Sequence, residues 1–179
     1  MIDLSLYRTF VFDCDGVILN SNKTKSDAFR AVISSRWPEH TDAFLAYHRL
    51  HGGISRHEKF SYFLSQICQF KDQSLIDQLM SELLADYSSL VVDSLLRCEV
   101  SPQLTNFCTY FQQADNIVVS GGDQYEIRSV FKSLNISHLF NRGIFGSPDS
   151  KEVILSRELA NFNIIKPAIF LVTVHMTFM

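Results

Sequence analysis

The sequence predicts an α/β fold, in which a parallel sheet is covered by helices on both faces and a block of helices is inserted after the first strand. Short apolar runs, beginning with Thr9–Phe12, alternate with segments of helical periodicity. Each run ends in polar or glycine residues, which is typical of strands that stop at a turn. After the first run lies a long stretch that has helical periodicity and no strand-like run.

The core elements follow in order along the chain. The first strand, residues 9–12, ends at Asp13-Cys14-Asp15-Gly16, and the core resumes after Ser101-Pro102. From there we expect a helix at 104–111, a strand at 116–119 that ends at Ser120, a helix to about 134, a strand at 143–145, a helix to about 160 and an apolar strand at 167–174. Strands that alternate with helices in this way form parallel sheets.

The inserted block is predicted to be helical from residue 26 to about residue 96. Its apolar residues fall on helix faces, in the groups Phe60, Phe63, Leu64 and Ile67, and Leu75, Ile76, Leu79, Leu83 and Leu84. Trp37-Pro38 and His51-Gly52-Gly53 interrupt the pattern, so we expect three or four helices. We therefore place a helical domain at residues 20–96, inserted into a discontinuous core domain of residues 1–19 and 97–179.

The composition is that of a folded protein without a broad nucleic-acid interface. Hydrophobic residues make up 46% of the chain, and 16 basic residues stand against 19 acidic ones, whereas a nucleic-acid-binding surface needs a basic excess. No apolar run approaches the length of about 20 residues that spans a membrane, and no secretory signal is recognisable. The cysteines lack metal-ligand spacing, so we expect mostly buried, reduced thiols in a cytoplasmic protein of unknown oligomeric state.

Side chains of complementary chemistry follow three of the predicted strands. They are Asp13 and Asp15 after the first strand, Ser120 with Gly121 and Gly122 after the second, and Lys151 after the third. Because ligands of parallel α/β sheets bind at the carboxyl ends of the strands, we expect these residues to share one site. One carboxylate can act as nucleophile and the other as general acid and base, while hydroxyl, backbone N–H and ammonium groups bind a phosphate.

Each of these features alone has a commoner structural explanation. An Asp-x-Asp turn is usually a solvated turn, Ser-Gly-Gly is usually a loop, and a single lysine usually lies on the surface. Their order along the chain and their shared position at strand ends favour a catalytic site.

Three stretches resemble the motifs of the haloacid dehalogenase (HAD) superfamily. Phe12–Ser21 resembles the first motif, Val118–Gly122 the second and Gly146–Lys151 the third. The resemblance covers about residues 8–171, and the helical insert is similar to the cap of phosphoglycolate phosphatase and β-phosphoglucomutase. It implies a Rossmann-like sheet core with an inserted helical cap.

The resemblance also implies a Mg2+-dependent phosphatase that acts on a small phosphorylated metabolite, such as a sugar phosphate or phosphoglycolate. Asp13 would attack phosphorus to form an aspartyl-phosphate, and Asp15 would protonate the leaving alcohol and then activate water. The phosphoryl oxygens would be bound by Ser120, Gly121, Gly122 and Lys151. Mg2+ would bind the Asp13 carboxylate and the Asp15 backbone carbonyl.

The segment His51–Arg56 is similar to the substrate-specificity loop of β-phosphoglucomutase, which implies that Ser55 and Arg56 bind the substrate. The same segment also predicts a helix start, with Ser55 as N-cap and Glu58 completing a capping box. A linker position that is histidine in β-phosphoglucomutase corresponds to Lys25 here, which favours hydrolysis over a phosphomutase reaction.

The chain departs from the family pattern near its C-terminal end. The fourth motif, Gly-Asp-x-x-x-Asp, has no match, and no carboxylate follows Glu158. The expected core therefore lacks its C-terminal part, the Mg2+ site lacks one or two oxygen ligands, and the sheet presents an apolar edge. A shifted reading frame at Leu171 permits Gly-Asp-Ser-x-Tyr-Asp, so we hypothesise a frameshift that truncated a longer phosphatase, which the nucleotide sequence would test.

The missing acidic motif leaves two alternatives to a phosphatase. One is a non-catalytic protein that binds phosphate ligands, and the other is a phosphomutase. We expect the hydrolytic activity of the chain as written to be very low or absent.

Overall fold

The computed structural model describes residues 3–172, and in this part of the chain it shows four β-strands and seven α-helices. The strands are β1 (Thr9–Phe12), β2 (Asp115–Asp123), β3 (Ile144–Ser147) and β4 (Ala168–Leu171). The helices are α1 (Asn22–Ser34), α2 (Thr41–Leu50), α3 (Arg56–Tyr62), α4 (Gln73–Leu95), α5 (Leu104–Tyr110), α6 (Gln124–Ser133) and α7 (Lys151–Ala160).

The strands form one parallel sheet in the order β3-β2-β1-β4. Phe12, the last residue of β1, lies opposite Val118 of β2 and Leu171 of β4. The residues that follow Phe12 and Val118 therefore emerge at the same edge of the sheet. The predicted parallel α/β fold is confirmed.

The side chains of β1 alternate between two apolar layers, and the strand is buried along its whole length. On one face, Phe10 and Phe12 contact the ring of Phe107 in α5 edge-to-face, with centroids 4.9 and 5.8 Å apart. On the other face, Val11 packs in a cluster with Ile154 of α7. Burial on both faces explains why β1 is a continuous apolar run and not an alternating one.

β2 is longer than predicted. The sequence pattern placed the strand at residues 116–119 and a loop at Ser120-Gly121-Gly122, but β2 continues to Asp123. There it pairs again with Ser147 of β3, after a register shift that begins at Val119. A glycine pair predicts a loop from local preference alone, whereas here the second contact with β3 keeps the backbone extended. β3 correspondingly runs to Ser147, two residues beyond its predicted end.

The chain divides into two compact units. The first comprises Met1–Asn20 and Glu99–Met179 and contains the sheet, and the second is Ser21–Cys98, with α1 to α4. The backbone segments on either side of the second unit are paired within the first: the N–H of Asn20 donates to the carbonyl of Glu99 at 2.9 Å, and Leu19 and Val100 form an antiparallel bridge.

The second unit is packed around aromatic rings. Phe29 of α1 contacts Phe44, Phe60 and Tyr87, which belong to α2, α3 and α4, at centroid distances of 5.5, 5.4 and 4.3 Å. The predicted burial of Phe60, Phe63 and Leu64 is confirmed, and Ile67 of the same group is half-buried. Leu75, which the pattern placed on the apolar face of α4, is 38% exposed, because the buried residues of that helix begin only at Leu83.

Within residues 3–172, no helix combines the length and the apolar character that a membrane crossing requires.

Candidate active site

The nucleophile candidate Asp13 is fixed at the carboxyl edge of the sheet by backbone contacts. It follows β1 directly, and its N–H donates to the carbonyl of Leu171 in β4 at 3.0 Å. One carboxylate oxygen, Oδ1, accepts the N–H of Cys14 at 2.8 Å. The chain then reverses at Gly16, whose φ of 74° favours glycine, and the Gly16 N–H donates to Leu19.

The second oxygen of Asp13 is held by Lys151. Lys151 Nζ lies 2.7 Å from Asp13 Oδ2, and the two side chains are only 15% and 14% exposed. Lys151 is the first residue of α7, where the Ser150 hydroxyl caps the helix by accepting the N–H of Val153. A lysine and an aspartate 138 positions apart in the sequence thus form one partly buried ion pair.

Ser120 lies in the neighbouring strand at the same edge. Its side chain is fully buried, and its Oγ accepts the N–H of Gly122 at 3.0 Å. The N–H of Gly122 was predicted to face an anion, but in this structure it donates its hydrogen bond to the Ser120 hydroxyl. The Ser120 hydroxyl still has its own proton to donate. The helix that follows, α6, is capped by Asp123, which accepts the N–H of Glu126 at 3.0 Å.

Gly146 of β3 determines how closely this strand approaches Gly122 of β2. A Cβ atom at Gly146 would lie 2.3 Å from the carbonyl oxygen of Gly122 and 3.1 Å from the nitrogen of Gln124. The sequence placed Gly146 within the third motif but gave it no role. Its role arises from contact between two strands, which only the folded backbone shows.

The four predicted catalytic residues are arranged as follows. Asp13 and Lys151 are in direct contact, and Asp15 lies half-buried in the same turn as Asp13, where it forms a bridge with Leu19. Ser120 follows the strand beside β1. These positions are compatible with one site at the sheet edge, and the catalytic roles stay predictions.

The two predicted cap residues belong to the second unit. Ser55 caps α3: its Oγ accepts the N–H of Glu58 at 3.1 Å, and the Glu58 side chain accepts the N–H of Ser55, so the predicted capping box is confirmed. The guanidinium of Arg56 lies 5.4 Å from the ring centre of Tyr87, within cation–π distance. Binding of substrate by Ser55 and Arg56 stays a prediction.

Sequence reasoning missed a buried polar chain in the second unit. Lys59, 4% exposed, has its Nζ 2.9 Å from His48 Nδ1, and His48 Nε2 lies 2.9 Å from the hydroxyl of Ser26. The Lys59 ammonium also lies 5.4 Å from the ring centre of Phe29. The apolar spacing of α3 gave no signal of this contact, because His48 comes from a different helix.

The described donor set does not fit a resident Mg2+. The ion prefers six oxygen ligands in octahedral geometry. Asp13 and the Asp15 backbone carbonyl would supply two, but both carboxylate oxygens of Asp13 are already engaged. Among residues 3–172, no three His, Cys, Asp or Glu side chains are grouped to hold a metal ion. The stretch in which the fourth motif was sought, and residues 173 and 174 of the predicted last strand, lie outside the described residues.

The cysteines are thiols, two of them buried and two half-buried. Burial, with a smaller contribution from the charge of Glu39, raises the pKa of Cys68 to about 11. Burial also raises the pKa of Cys108. Both side chains are therefore protonated at neutral pH, as expected of structural thiols and not of nucleophiles.

Comparison with known proteins finds similarity in structure alone. No family model and no curated protein matches the chain. Among solved structures, a predicted phosphatase from Clostridium acetobutylicum matches with a TM-score of 0.66 and 14% identity, over 92% of this chain and 75% of the other.

Two further structures give the same result. A haloacid dehalogenase-like hydrolase from Streptococcus pneumoniae has a TM-score of 0.58 and 16% identity, over 94% of this chain and 76% of the other. CbbY from Rhodobacter sphaeroides, solved in complex with phosphate, has a TM-score of 0.61 and 12% identity, over 92% and 76%. The chain therefore has the fold of the haloacid dehalogenase-like phosphatases.

Proposed function

We propose that this chain derives from a phosphatase that hydrolyses a small phosphorylated metabolite through an aspartyl-phosphate, with Asp13 as nucleophile. The observation that carries the proposal is the contact between Asp13 and Lys151 at the carboxyl edge of a parallel sheet. A carboxylate beside a lysine at this edge combines an attacking oxygen with a cation for the phosphoryl group. The structural neighbours, one of which holds phosphate, support the same chemistry.

The reaction has two steps. An oxygen of Asp13 attacks phosphorus, the bond from phosphorus to the leaving oxygen breaks, and Asp15 in its acid form gives its proton to the leaving alkoxide. Asp15 then takes a proton from water as the water oxygen attacks phosphorus. The bond from phosphorus to Asp13 breaks, which restores the carboxylate and releases phosphate.

Lys151 and Ser120 stabilise the charge that spreads over the phosphoryl oxygens. Lys151 shifts its ammonium from Asp13 to the phosphoryl group, and Ser120 donates its hydroxyl proton while Gly122 holds the hydroxyl oxygen in place. A donor fixed before the reaction, such as the Ser120 hydroxyl, costs no reorganisation in the transition state. Mg2+ dependence follows from the resemblance alone, and because the described residues do not fit the ion, no step here depends on it.

We further propose that residues 20–96 are the inserted cap, and that Ser55 and Arg56 bind the substrate. A planar guanidinium held against Tyr87 is suited to a carboxylate, phosphate or hydroxyl-rich group. The small helical insert favours a small metabolite over a protein substrate.

The first test compares hydrolysis of p-nitrophenyl phosphate by the full chain and by Asp13→Asn, with and without Mg2+. We expect a very low wild-type rate, and the part of it above background should fall by about 100-fold in the variant, because the amide is a far weaker nucleophile. Asp93→Asn, which changes an exposed carboxylate of α4, serves as the matched control and should leave the rate unchanged. Equal rates for wild type and Asp13→Asn would reject the enzymatic function.

A second candidate is a non-catalytic phosphate-binding protein. It is favoured by the lack of a group of metal-ligating side chains among the described residues. Equal background rates in that assay, together with binding of inorganic phosphate in a separate calorimetric titration, would support the non-catalytic protein.

A further inference from the structure

We propose that the second unit binds an amino-substituted planar heterocycle, such as adenine, in a groove between α3 and α4. The groove has a volume of about 670 Å3, within the range of small-molecule sites. Its lining includes Glu58, Ser61, Tyr62, Gln66 and Met80. Because the lining residues all belong to the second unit, the inference does not rest on the proposed phosphatase function.

Tyr62 provides an aromatic platform that the packing of the helices holds in place. Its ring is parallel to that of Tyr47 in α2, with centroids 3.7 Å apart and an interplanar angle of 2°. The ring of His51 continues the stack, 4.3 Å from the Tyr47 ring. Tyr62 is 38% exposed, and Tyr47 covers one face of its ring, so a ligand in the groove meets the other face or the edge. A flat ring placed there extends a stack that already exists.

The carboxylate of Glu58 can accept the amino group of the heterocycle. Its Oε1 accepts the hydroxyl of Ser55 at 3.0 Å, which fixes the carboxylate at the start of α3. Burial, followed by the charges of Tyr62 and Glu58, raises the pKa of Tyr47, so this carboxylate lies near the pair of rings. An acceptor held beside an aromatic ring favours a ligand ring that carries an N–H donor over an apolar ring of the same size.

A π-helical turn, Phe63–Ile67, places a second acceptor at the groove. In this turn the N–H of Cys68 donates to the carbonyl of Phe63, five residues back, at 2.9 Å. Turns of this kind are rare and occur frequently at functional sites. This one carries Gln66, whose Nε2 donates to Ser65 Oγ at 3.3 Å, so the amide oxygen is oriented as an acceptor.

The rest of the lining favours a planar ring over a sugar. Met80 of α4 contributes a thioether, which is polarisable and makes favourable contacts with aromatic rings. Together with the ring of Tyr62 it gives the groove apolar surface beside a few acceptors. A sugar, whose hydroxyl groups point in all directions, would place several of them against this apolar surface. A flat ring with polar atoms only at its edge avoids that cost.

The experiment is equilibrium dialysis of the full chain with radiolabelled adenosine, which carries no phosphate for the sheet edge to bind. We compare the wild type with Tyr62→Leu, which removes the ring, and with Tyr62→Phe, which keeps it. Tyr62→Leu should bind adenosine at least about tenfold more weakly, because the stacking contact is lost, whereas Tyr62→Phe should bind as the wild type does. Tyr110→Leu, at an aromatic residue of α5 that is 80% exposed, is the matched control and should also bind as the wild type does.

Inosine and Gln66→Ala test the hydrogen bonds. Inosine has a carbonyl in place of the amino group, so the wild type should bind it more weakly than adenosine. Gln66→Ala, at an exposed residue, should weaken the binding of adenosine, and it decides the matter if circular dichroism shows that Tyr62→Leu is unfolded. The proposal is overturned if the wild type binds no adenosine, if it binds inosine equally well, or if the folded variants bind adenosine as tightly as the wild type. Loss of phosphatase activity affects none of these results.

Discussion

Where β3 passes the glycine pair of β2, the backbones approach so closely that the Cα hydrogen of Gly146 faces the carbonyl oxygen of Gly122. A methyl group in its place would lie 2.3 Å from that oxygen, inside any permitted contact. Because the obstacle is backbone and not a flexible side chain, the strands must separate. The turn that fixes the Ser120 hydroxyl would move with them.

We therefore predict that Gly146→Ala lowers the free energy of unfolding by about 1–3 kcal/mol, as overpacking in a rigid site does. Urea denaturation followed by circular dichroism measures it. Gly52→Ala is the matched control, because its Cβ has nothing within 4 Å, and its effect should lie between none and a stabilisation of about 1 kcal/mol. Equal stability of the two variants would contradict the close approach.

The sequence predicted that Asp13 and Lys151 follow strands of one sheet edge, but not that they form an ion pair. Asp13 was expected to attack phosphorus and to bind Mg2+, and Lys151 to bind the oxygens of the same phosphoryl group. Their direct contact depends on α7 starting just beyond β3, and no local pattern specifies a distance between residues so far apart in the chain.

At the start of α3, Ser55 has two proposed roles, as the N-cap of the helix and as a substrate contact, and these can be tested separately. Ser55 is 4% exposed, and its hydroxyl both accepts the Glu58 N–H and donates to the Glu58 carboxylate. Loss of an N-cap of this kind costs about 1 kcal/mol.

Ser55→Ala should therefore lower the free energy of unfolding by about 1 kcal/mol in thermal or urea denaturation. Ser61→Ala, at an exposed position of the same helix, should cost nothing or stabilise slightly, because alanine is the better helix former. A Ser55→Ala variant as stable as the wild type, with altered substrate binding, would assign the residue to the ligand instead.

In β2, the local conformational preference of the glycine pair led to a wrong prediction. The pair Gly121-Gly122 has low strand propensity and predicted a loop, yet the strand continues to Asp123. Pairing of Asp123 with Ser147 of β3 keeps the segment extended despite the low strand propensity of glycine. The register shift between Val119 and Asp123 accommodates the additional residues of β2. A tertiary contact of this kind leaves no periodic trace in the sequence.

In the molecule as a whole, an apolar groove lies beside β4. It is lined by residues of β1, α7, β4 and the segment between the last two, among them Leu159, Ile164 and Ile169. β4 is an edge strand of the described sheet, and apolar edge strands promote association.

We predict that the purified chain self-associates as its concentration rises, and that Ile169→Lys reduces the association because a lysine on an edge strand opposes pairing. Sedimentation velocity over a range of concentrations measures both. Tyr110→Lys, at an aromatic residue of α5 that is 80% exposed, controls for the added charge. A wild-type chain that is monomeric throughout would show that this surface is not adhesive.

The overall architecture was the part that the sequence predicted best. Apolar runs buried on both faces, separated by helical spacing, indicated the parallel sheet, and β1 matches its predicted bounds of residues 9–12. The periodicity of apolar residues could not predict contacts between different helices. The contact of Lys59 with His48 is an example, because the two residues belong to α3 and α2.

The paired backbone at Asn20 and Glu99 bears on how the chain could be shortened. Since the N–H of Asn20 already bonds the carbonyl of Glu99 at 2.9 Å, a connection of a few glycines is long enough to join the two residues. We expect that replacing residues 21–98 by such a connection leaves the register of β1 and β2 unchanged. The ease of that excision would make the sheet unit available as a minimal scaffold, on which the chemistry at Asp13 can be measured apart from the insert.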